Sequence, residues 1–297
     1  MNTRHFLVLA AAFGLSTAAS AQSNVAQSEQ TGDNSDAFIT QSGANNEART
    51  IQETTGPAVA TRNSATITQT GQDHNAAGSE IFDIPEISSF AAGFGITGDQ
   101  APGIVQIGSG NVDKIEQSGV RNSAAVVSLG AGNAATVTQA GENNLAGSIA
   151  YGQENAVTIS QSGSGTYLGG LFNNVAAVGI SGDDNDVDVS QLGAAGSVAL
   201  VLVGHLADSG SDNQIGITQN GGAGNLATAS VVGGGNLLEV AQSGVNQRAF
   251  VSIESADLGF QNNAVSVGQS GIGHTATVDV TGDGNTASVT QSGPFPF

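Results

Sequence analysis

The stretch "NSAAVVSLGAGNAATVTQAGENN", residues 122–144, contains the same short phrase twice. Asn122, Asn133 and Asn144 are spaced eleven residues apart, and a Gly follows each of the first two Asn residues by eight positions. Self-similarity at a fixed, short spacing is typical of architectures in which structural units stack on one another. The stretch therefore predicts a repeat fold, in which the unit is much smaller than an ordinary domain.

The phrase recurs from Asn111 to the end of the chain. In this region the phrase occurs fifteen times, and we call the first residue of each copy its start. Twelve of the fifteen starts are Asn, and a Gly lies eight residues after fourteen of them. We expect an Asn ladder formed by starts that include Asn111, Asn122, Asn133, Asn144, Asn155, Asn185, Asn213, Asn236, Asn263 and Asn285. The phrase also begins at Asn174 and Asn225, and with other residues at Gly196, Gln247 and His274.

Within each phrase, apolar residues alternate with small polar ones, as in Val157 and Ile159 against Thr158 and Ser160. A period of two over seven residues predicts a β-strand about 20 Å long with one buried face. The Gly and the residues after it supply the positive φ angles of a tight turn. The predicted turn glycines are Gly119, Gly130, Gly141, Gly152, Gly163, Gly182, Gly193, Gly221, Gly244, Gly271, Gly282 and Gly293.

The sixth position after each start alternates without exception between Gln and another residue. The Gln residues are Gln117, Gln139, Gln161, Gln191, Gln219, Gln242, Gln269 and Gln291. The residues between them are Ser128, Ala150, Ile180, Leu202, Val231, Ile253 and Val280. The true period is therefore 22 residues, and the pattern predicts an all-β fold, a parallel β-solenoid with two strands per ~22-residue coil and roughly ten coils.

An inward column of Gln would let each amide donate to one neighbour and accept from the other, which satisfies groups that are costly to bury alone. Register would then be specified twice, because a slip of one residue would turn Val137 and Gln139 outward. The alternative is that these Gln and Asn residues are simply the polar residues that turns favour and that they form no column. Turn preference accounts for Asn but not for the alternation of Gln.

The chain divides into five parts. Residues 1–21 have a basic start, a short apolar core and small residues at their end, which predicts a secretory signal peptide. Residues 22–78 contain four degenerate copies of the phrase, and residues 79–103 are an insertion. Residues 104–293 are the regular solenoid, and residues 294–297 are a Pro-Phe-Pro-Phe tail. The tail either blunts an open strand edge or serves export or anchoring.

The insertion at 79–103 contains Phe82, Phe90 and Phe94. It is expected to pack on the coil as a local flap, and docking of a partner is the alternative. Three shorter insertions follow Gly163, Gly204 and Ser255. These lie at predicted corners, where a solenoid accommodates extra residues as loops.

Composition restricts the function further. The chain has a formal net charge of -19, and removal of residues 1–21 takes away one cation, Arg4, and leaves -20. An acidic surface repels nucleic acid, so we expect no nucleic-acid partner. The absence of cysteine excludes disulfides and thiolate chemistry. No residues are assigned to catalysis, a cofactor or a metal, because the histidines and carboxylates form no recognisable constellation.

These phrases resemble the curlin repeat, Ser-x5-Gln-x-Gly-x-x-Asn-x-Ala-x3-Gln, of bacterial curli subunits. The middle of that pattern matches Gln139, Gly141, Asn144 and Ala146, as do the residues from Gln117 to Ala124 and, with His274 in place of Asn, from Gln269 to Ala276. The resemblance covers residues 111–293 well and 24–71 weakly. It departs from the pattern where Asn replaces the leading Ser and where the second Gln is replaced by Ser128 and the aliphatic residues that follow it.

The resemblance implies a curli-like functional amyloid subunit, exported by the Sec route and across the outer membrane and polymerised into extracellular fibres of the biofilm matrix. It also implies partners in the secretion and nucleation machinery. From the residues, an uncapped last strand that repeats the same pattern predicts head-to-tail addition of further copies into a filament. The alternative is a monomeric β-solenoid adhesin or ligand-binding protein, for example an ice-binding one.

Overall fold

The computed structural model describes residues 24–32, 35–54, 62–76, 103–163, 174–193, 195–204, 210–255 and 262–293. The predicted signal peptide, most of the 79–103 insertion and the 294–297 tail lie outside these residues. Strands and short corners make up the described part of the chain, which contains no helix long and apolar enough to cross a membrane.

The strands alternate between two parallel sheets. Sheet A has the order β1-β3-β5-β8-β10-β12-β14-β16-β18-β20, with β6 pairing β3 and β8, and sheet B has the order β2-β4-β7-β9-β11-β13-β15-β17-β19-β21. In chain order the strands are β1 Val25–Thr31, β2 Ser35–Ala44, β3 Glu47–Glu53, β4 Asn63–Gln72, β5 Asn75–Ala76, β6 Ile104–Ser109, β7 Val112–Val120, β8 Ser123–Ala131, β9 Ala134–Glu142, β10 Leu145–Gln153, β11 Ala156–Gly163, β12 Asn174–Ser181, β13 Asp186–Leu192, β14 Ser197–Val203, β15 Gln214–Asn220, β16 Leu226–Val232, β17 Leu237–Val245, β18 Arg248–Glu254, β19 Ala264–Ile272, β20 Thr275–Thr281 and β21 Thr286–Ser292. The predicted parallel β-solenoid with two strands per coil is confirmed.

The register follows the repeat. Gln139 pairs with Gln161 at a separation of 22 residues, and Gln161 pairs with Gln191 although ten undescribed residues, 164–173, intervene. Extra residues at this corner therefore leave the pairing of the strands on either side unchanged. The two-residue alternation selects the inward face, and the corners absorb differences in length.

The predicted first residue of one copy of the phrase, Gly196, is wrong by one position. The sequence pattern places a start at Gly196 and Leu202 on the inward face, whereas the structure pairs Asn174 with Ser197 and Ile180 with Val203. Val203 is buried and Leu202 points outward. The corner before β14 is one residue longer than the spacing suggests, and with a period of two, one residue exchanges the faces.

One layer of sheet A is built from two pieces. β5 pairs with the start of β3 through Asn75 and Ala76, and β6 pairs with its second half, with Ile104 opposite Thr50. Residues 77–102 thus interrupt a strand in mid-course instead of lying at a corner. This layer is the third of ten in sheet A.

The core lies between the sheets and is narrow. In sheet A the inward position next to the corner is Ala, as in Ala124 and Ala146, whereas in sheet B it is Ala, Val, Ile or Leu, as in Ala135, Val157 and Leu238. Ala permits the two strands of a coil to approach at the corner. The sixth position of each strand completes the interior, and there the two sheets differ.

Candidate functional site

The Gln column of sheet B runs through all ten layers. Each Nε2 donates to the Oε1 of the next Gln in nine successive hydrogen bonds of 2.7–2.9 Å. The column comprises Gln41, Gln69, Gln117, Gln139, Gln161, Gln191, Gln219, Gln242, Gln269 and Gln291. The structure thus brings all eight Gln residues of the predicted column together and adds Gln41 and Gln69 before them.

The same amides connect the two sheets. Gln139 Nε2 also donates to the Ser123 carbonyl at 2.9 Å, and Gln161 Nε2 to the Leu145 carbonyl at 3.0 Å. Both carbonyls lie at the start of a sheet A strand. Each amide therefore closes its own coil and bonds to the next coil, so both N–H groups of a buried amide are used.

The column has a direction. In every bond of the series the residue earlier in the chain donates and the later one accepts, from Gln41 to Gln291. Aligned amides polarise one another, which strengthens a continuous chain of hydrogen bonds. The acceptor end of the column therefore lies at β2 and its donor end at β21.

The corresponding column of sheet A changes character after three layers. Gln30 donates to Gln52 and Gln52 to Gln106, both at 2.8 Å, and the column then continues with aliphatic or small residues. The residues that follow Gln106 are Ser128, Ala150, Ile180, Val203, Val231, Ile253 and Val280. The N-terminal coils thus have two amide columns, and the remaining coils have one amide and one apolar column.

A buried carboxyl, Asp113, lies where the sheet A amides end. It is 1% exposed and occupies an inward position at which the adjacent layers have Ala65 and Ala135. Its Oδ1 accepts hydrogen bonds from Ser128 Oγ at 2.8 Å and from the Ala135 N–H at 3.1 Å, whereas its Oδ2 has no partner. Burial raises the pKa of Asp113 to about 7, although hydrogen bonds with Ser128, Gln106 and the Ala135 N–H lower it in part.

The Asn starts form two further columns, one at each row of corners. In the row before sheet B, Asn133 Oδ1 accepts from both the backbone N–H and the Nδ2 of Asn155, at 3.1 and 3.0 Å. Its own Nδ2 donates to the Gly152 carbonyl of the next coil at 3.0 Å. This column runs through Asn63, Asn111, Asn133, Asn155, Asn185, Asn213, Asn236, Asn263 and Asn285.

The row before sheet A is less regular, and of the predicted ladder it contains Asn122 and Asn144. His74 substitutes for Asn here: its backbone N–H donates to Asn46, its Nδ1 accepts the Asn122 N–H at 3.4 Å, and its Nε2 lies 3.1 Å from the Thr70 carbonyl. Burial lowers the pKa of His74, and the Thr70 carbonyl opposes this in part. A neutral ring therefore fits an Asn position.

The glycines explain how closely the coils approach. A Cβ on Gly141 would lie 1.9 Å from the Gly163 carbonyl oxygen, and one on Gly130 would lie 1.9 Å from that of Gly152. Gly141 has φ 102°, in the region that favours glycine. These positions need Gly both for the turn and for the neighbouring backbone.

Four of the predicted turn glycines lack this contact with a carbonyl oxygen of the next coil. A Cβ on Gly282 would meet only Asn285 Nδ2, at 3.8 Å, and one on Gly293 would meet only the His274 ring. Gly193 and Gly221 have positive φ angles, but a Cβ on either would meet nothing within 4 Å. The close approach is made instead by Gly222, whose Cβ would lie 1.7 Å from the Gly244 carbonyl oxygen. The residue after the predicted one thus lies against the next coil.

Sequence reasoning missed three members of the interior: Gln52, Gln106 and Asp113. A signal for Asp113 was present, because an acidic residue stood where the phrase otherwise has a small or apolar one. Gln52 lies in a degenerate copy of the phrase and Gln106 lies next to the insertion, so neither residue could be aligned with the sixth position of the repeat.

The model of the curlin associated repeat matches this chain at residues 114–141, 130–163, 172–193 and 261–293. The matched segments contain six of the ten Gln residues of the sheet B column, together with corner Asn residues and stacked glycines described above. The chain therefore contains curlin repeats at these four places. Curlin repeats are typical of extracellular or cell-surface structural proteins, and the described part of this chain has a β-solenoid fold. No curated protein matches the chain.

Proposed function

We propose that this curlin-repeat protein polymerises head to tail into an amyloid-like fibre outside the cell, as a scaffold of the biofilm matrix and not as a catalyst. The observation that carries the proposal is the Gln column of sheet B, which has the same residue type and the same donor direction from its first layer to its last. A column of this kind continues unchanged into a second copy.

The two ends of the solenoid are complementary. Within the described residues, β21 pairs only with β19, and β2 pairs only with β4. Gln291 Nε2 donates to the Thr275 carbonyl at 2.9 Å, and it lies where every earlier Gln also donates to a following Gln. Stacking β2 of one copy on β21 of another would supply that acceptor, the Oε1 of Gln41.

The same stacking would place β1 on β20, with Gln30 against Val280. Val280 is apolar, so the sheet A column would meet a polar group at each junction and leave the Gln30 amide oxygen without a donor. An unpaired buried polar group costs about 1–3 kcal/mol. The junction between copies is therefore weaker than the steps within a copy, and we expect assembly to begin slowly.

Such a contact joins two different surfaces and does not close on itself, so its product is a filament. Export through the Sec route and the outer membrane, and nucleation by a membrane-bound partner, belong to the same proposal. The net charge of -19 supports it, because self-repulsion keeps a chain of this kind soluble before assembly.

The outer face of sheet B argues against an ice-binding array. The position occupied by Thr136 and Thr158 continues as Asp188, Gly216 and Glu239 in the following layers. A flat, regular Thr surface is interrupted after two layers. A monomeric adhesin remains the alternative that the assembly experiment decides.

The experiment incubates purified residues 22–297 and follows thioflavin fluorescence, electron microscopy and fibre diffraction. The expected result is unbranched fibres with a reflection near 4.8 Å along the fibre axis, because the strands stack in that direction. A protein that stays monomeric and β-rich at high concentration would contradict polymerisation and favour the adhesin.

The junction is tested with a tail variant, Gln291→Lys, added to wild-type monomer at about one part in ten. Its head would still add to a growing fibre, and its altered tail would stop the next addition, so elongation should slow several-fold. Ser292→Lys is the matched control, since it places the same charge one residue later on the exposed outward side. Equal effects of the two variants would contradict the register proposed here.

A further inference from the structure

A second apolar cluster lies outside the coil, on the outward face of sheet A. It consists of Val105, Ala125, Val127, Leu145, Ile149 and Ala177, which lie on β6, β8, β10 and β12 and have exposures of 0–9%. These residues have the opposite parity to the inward core. We name this set the lateral face.

The burial of the lateral face is local. The outward residues Thr275, Thr277 and Asp279 of β20, in the same sheet, are exposed, as is Thr158 on the outward face of sheet B. Every described strand belongs to sheet A or sheet B, and sheet B lies on the other side of sheet A. The described strands therefore do not account for the burial of Ala125 and Val127.

The segment 77–102 begins and ends beside the lateral face. It leaves sheet A after Ala76, which pairs with Ala48, and it rejoins the sheet before Ile104, which pairs with Val126. The Gly103 carbonyl accepts the Val126 N–H at 2.8 Å. The position between these two points is the outward one next to Ala125 in register, so both residues that bound the segment lie in the β6 layer, at one edge of the lateral face.

The composition and length of the segment fit this face. It contains three Phe and four Ile residues, namely Phe82, Phe90, Phe94, Ile81, Ile84, Ile87 and Ile96. The distance from β6 to β12 is about 14 Å at the usual spacing of strands. A chain of this length extends to roughly 85 Å, so it can cross the face and return.

We propose that the lateral face is the docking site of the chain's own residues 77–102, which form with it a second hydrophobic core outside the coil. The apolar segment covers apolar strands that would otherwise be exposed on one side of the solenoid. Contiguous exposed apolar surface promotes association. In a fibre of stacked copies, a consequence that rests on the proposed function, the segment prevents side-to-side contact between fibres.

Cysteine cross-linking tests the contact, because the natural chain has no cysteine. Val127→Cys is combined in turn with Phe82→Cys, Phe90→Cys and Phe94→Cys, and the dilute monomer is treated with a short bismaleimide. Thr277→Cys, exposed on β20, replaces Val127→Cys in the control pairs. At least one Val127 pair should give an intramolecular cross-link with a tenfold higher yield than its control. Yields equal to the controls, or links between two chains only, would overturn the proposal.

Limited proteolysis gives a second readout that needs no cysteine. Chymotrypsin cleaves after Phe, and docking should protect Phe82, Phe90 and Phe94 in the wild-type monomer. Val127→Lys should speed cleavage in the segment about tenfold, whereas Thr277→Lys should leave it unchanged. A segment cleaved equally fast in all three proteins would refute docking. Both tests use monomer, so their failure is independent of whether fibres form.

Discussion

The two sheets of this solenoid have the same backbone but hold their coils together differently. In sheet B the sixth position is Gln in every layer from Gln41 to Gln291, and in sheet A it is Gln for three layers and then apolar. Both columns are buried. Amides must meet in register and in one direction, whereas aliphatic side chains pack with any apolar neighbour.

The difference indicates a division of roles. The aliphatic column contributes burial, worth about 25 cal/mol per Å² of apolar surface, without fixing which layer lies above which. The amide column contributes only a modest net free energy per hydrogen bond, but a layer with a shifted register would leave buried amides unpaired and would be destabilised. One continuous amide column is enough to specify register, so the second wall can change to apolar residues.

The largest effect is expected from interrupting the amide wall with Gln161→Leu. It leaves Gln139 Nε2, Gln191 Oε1 and the Leu145 carbonyl without their partner. At about 1–3 kcal/mol per unpaired buried group, the variant should lose roughly 3–6 kcal/mol of unfolding free energy, measured by urea denaturation of the monomer. Ile180→Val in the other wall should cost only about 1 kcal/mol. Equal losses would show that the two walls do not differ.

The corners should behave alike on both sides. Gly141→Ala, near the end of a sheet B strand, and Gly152→Ala, near the end of a sheet A strand, would each place a Cβ 1.9 Å from a glycine carbonyl oxygen of the next coil. The coils must separate locally, and a positive φ alone costs about 1–2 kcal/mol, so we expect a loss of about 3–4 kcal/mol for each. Gly273→Ala is the control, because its φ is 71° but its Cβ would meet nothing within 4 Å. If Gly273→Ala lost as much unfolding free energy as Gly141→Ala, the effect would be due to the positive φ angle alone.

Asp113, at the transition of the sheet A column, should make stability depend on pH. Its pKa is raised from 3.8 to about 7 in the folded chain, and the groups that face it, Ser128, Gln106 and the Ala135 N–H, are uncharged. Below about pH 4 the carboxyl is neutral in both states and has no effect. As the pH rises the unfolded chain ionises first, so stability falls by about 4 kcal/mol in total and becomes constant only above about pH 8.

Asp113→Ala, which matches Ala65 and Ala135 in the adjacent layers, should remove this dependence. The variant should be the more stable protein at pH 8 by a few kcal/mol and should show little gain at pH 4. Urea midpoints at the two pH values measure the difference. A variant that gains the same amount at both would show that the carboxyl does not titrate as described.

The smallest effect is expected at Ser148, an inward residue of sheet A whose hydroxyl has no partner among the described residues. Its neighbours in register are Val126 and Val178. Ser148→Ala should therefore stabilise the monomer by about 1 kcal/mol, since an unpaired buried hydroxyl is removed. Ser160→Ala, on the outward face of sheet B, should leave the urea midpoint unchanged. A loss of stability at Ser148 would indicate a partner, such as water, for its hydroxyl.

Local pattern was sufficient to predict the period and the inward face. The alternation around Val137 and Gln139, and the recurrence of Gln every second strand, specify a two-stranded coil, because parity and spacing are properties of neighbouring residues along the chain. The bonds between successive Gln residues are a direct consequence of that spacing.

The remaining features of the fold depend on contacts between stacked coils and could not be predicted from the local pattern. Whether Gly196 or Ser197 begins a layer, and whether Gly221 or Gly222 approaches the next coil, depends on the backbone of the layers on either side. The pKa of Asp113 depends on Ser128 and Ala135, which lie in neighbouring strands, and the lateral face is buried although its residues have outward parity. The sequence by itself determined which residues repeat and with what period, because that information is local. The tertiary structure decided where corners shift by one residue and what is buried beyond the pattern, because these depend on contacts between residues distant in the chain.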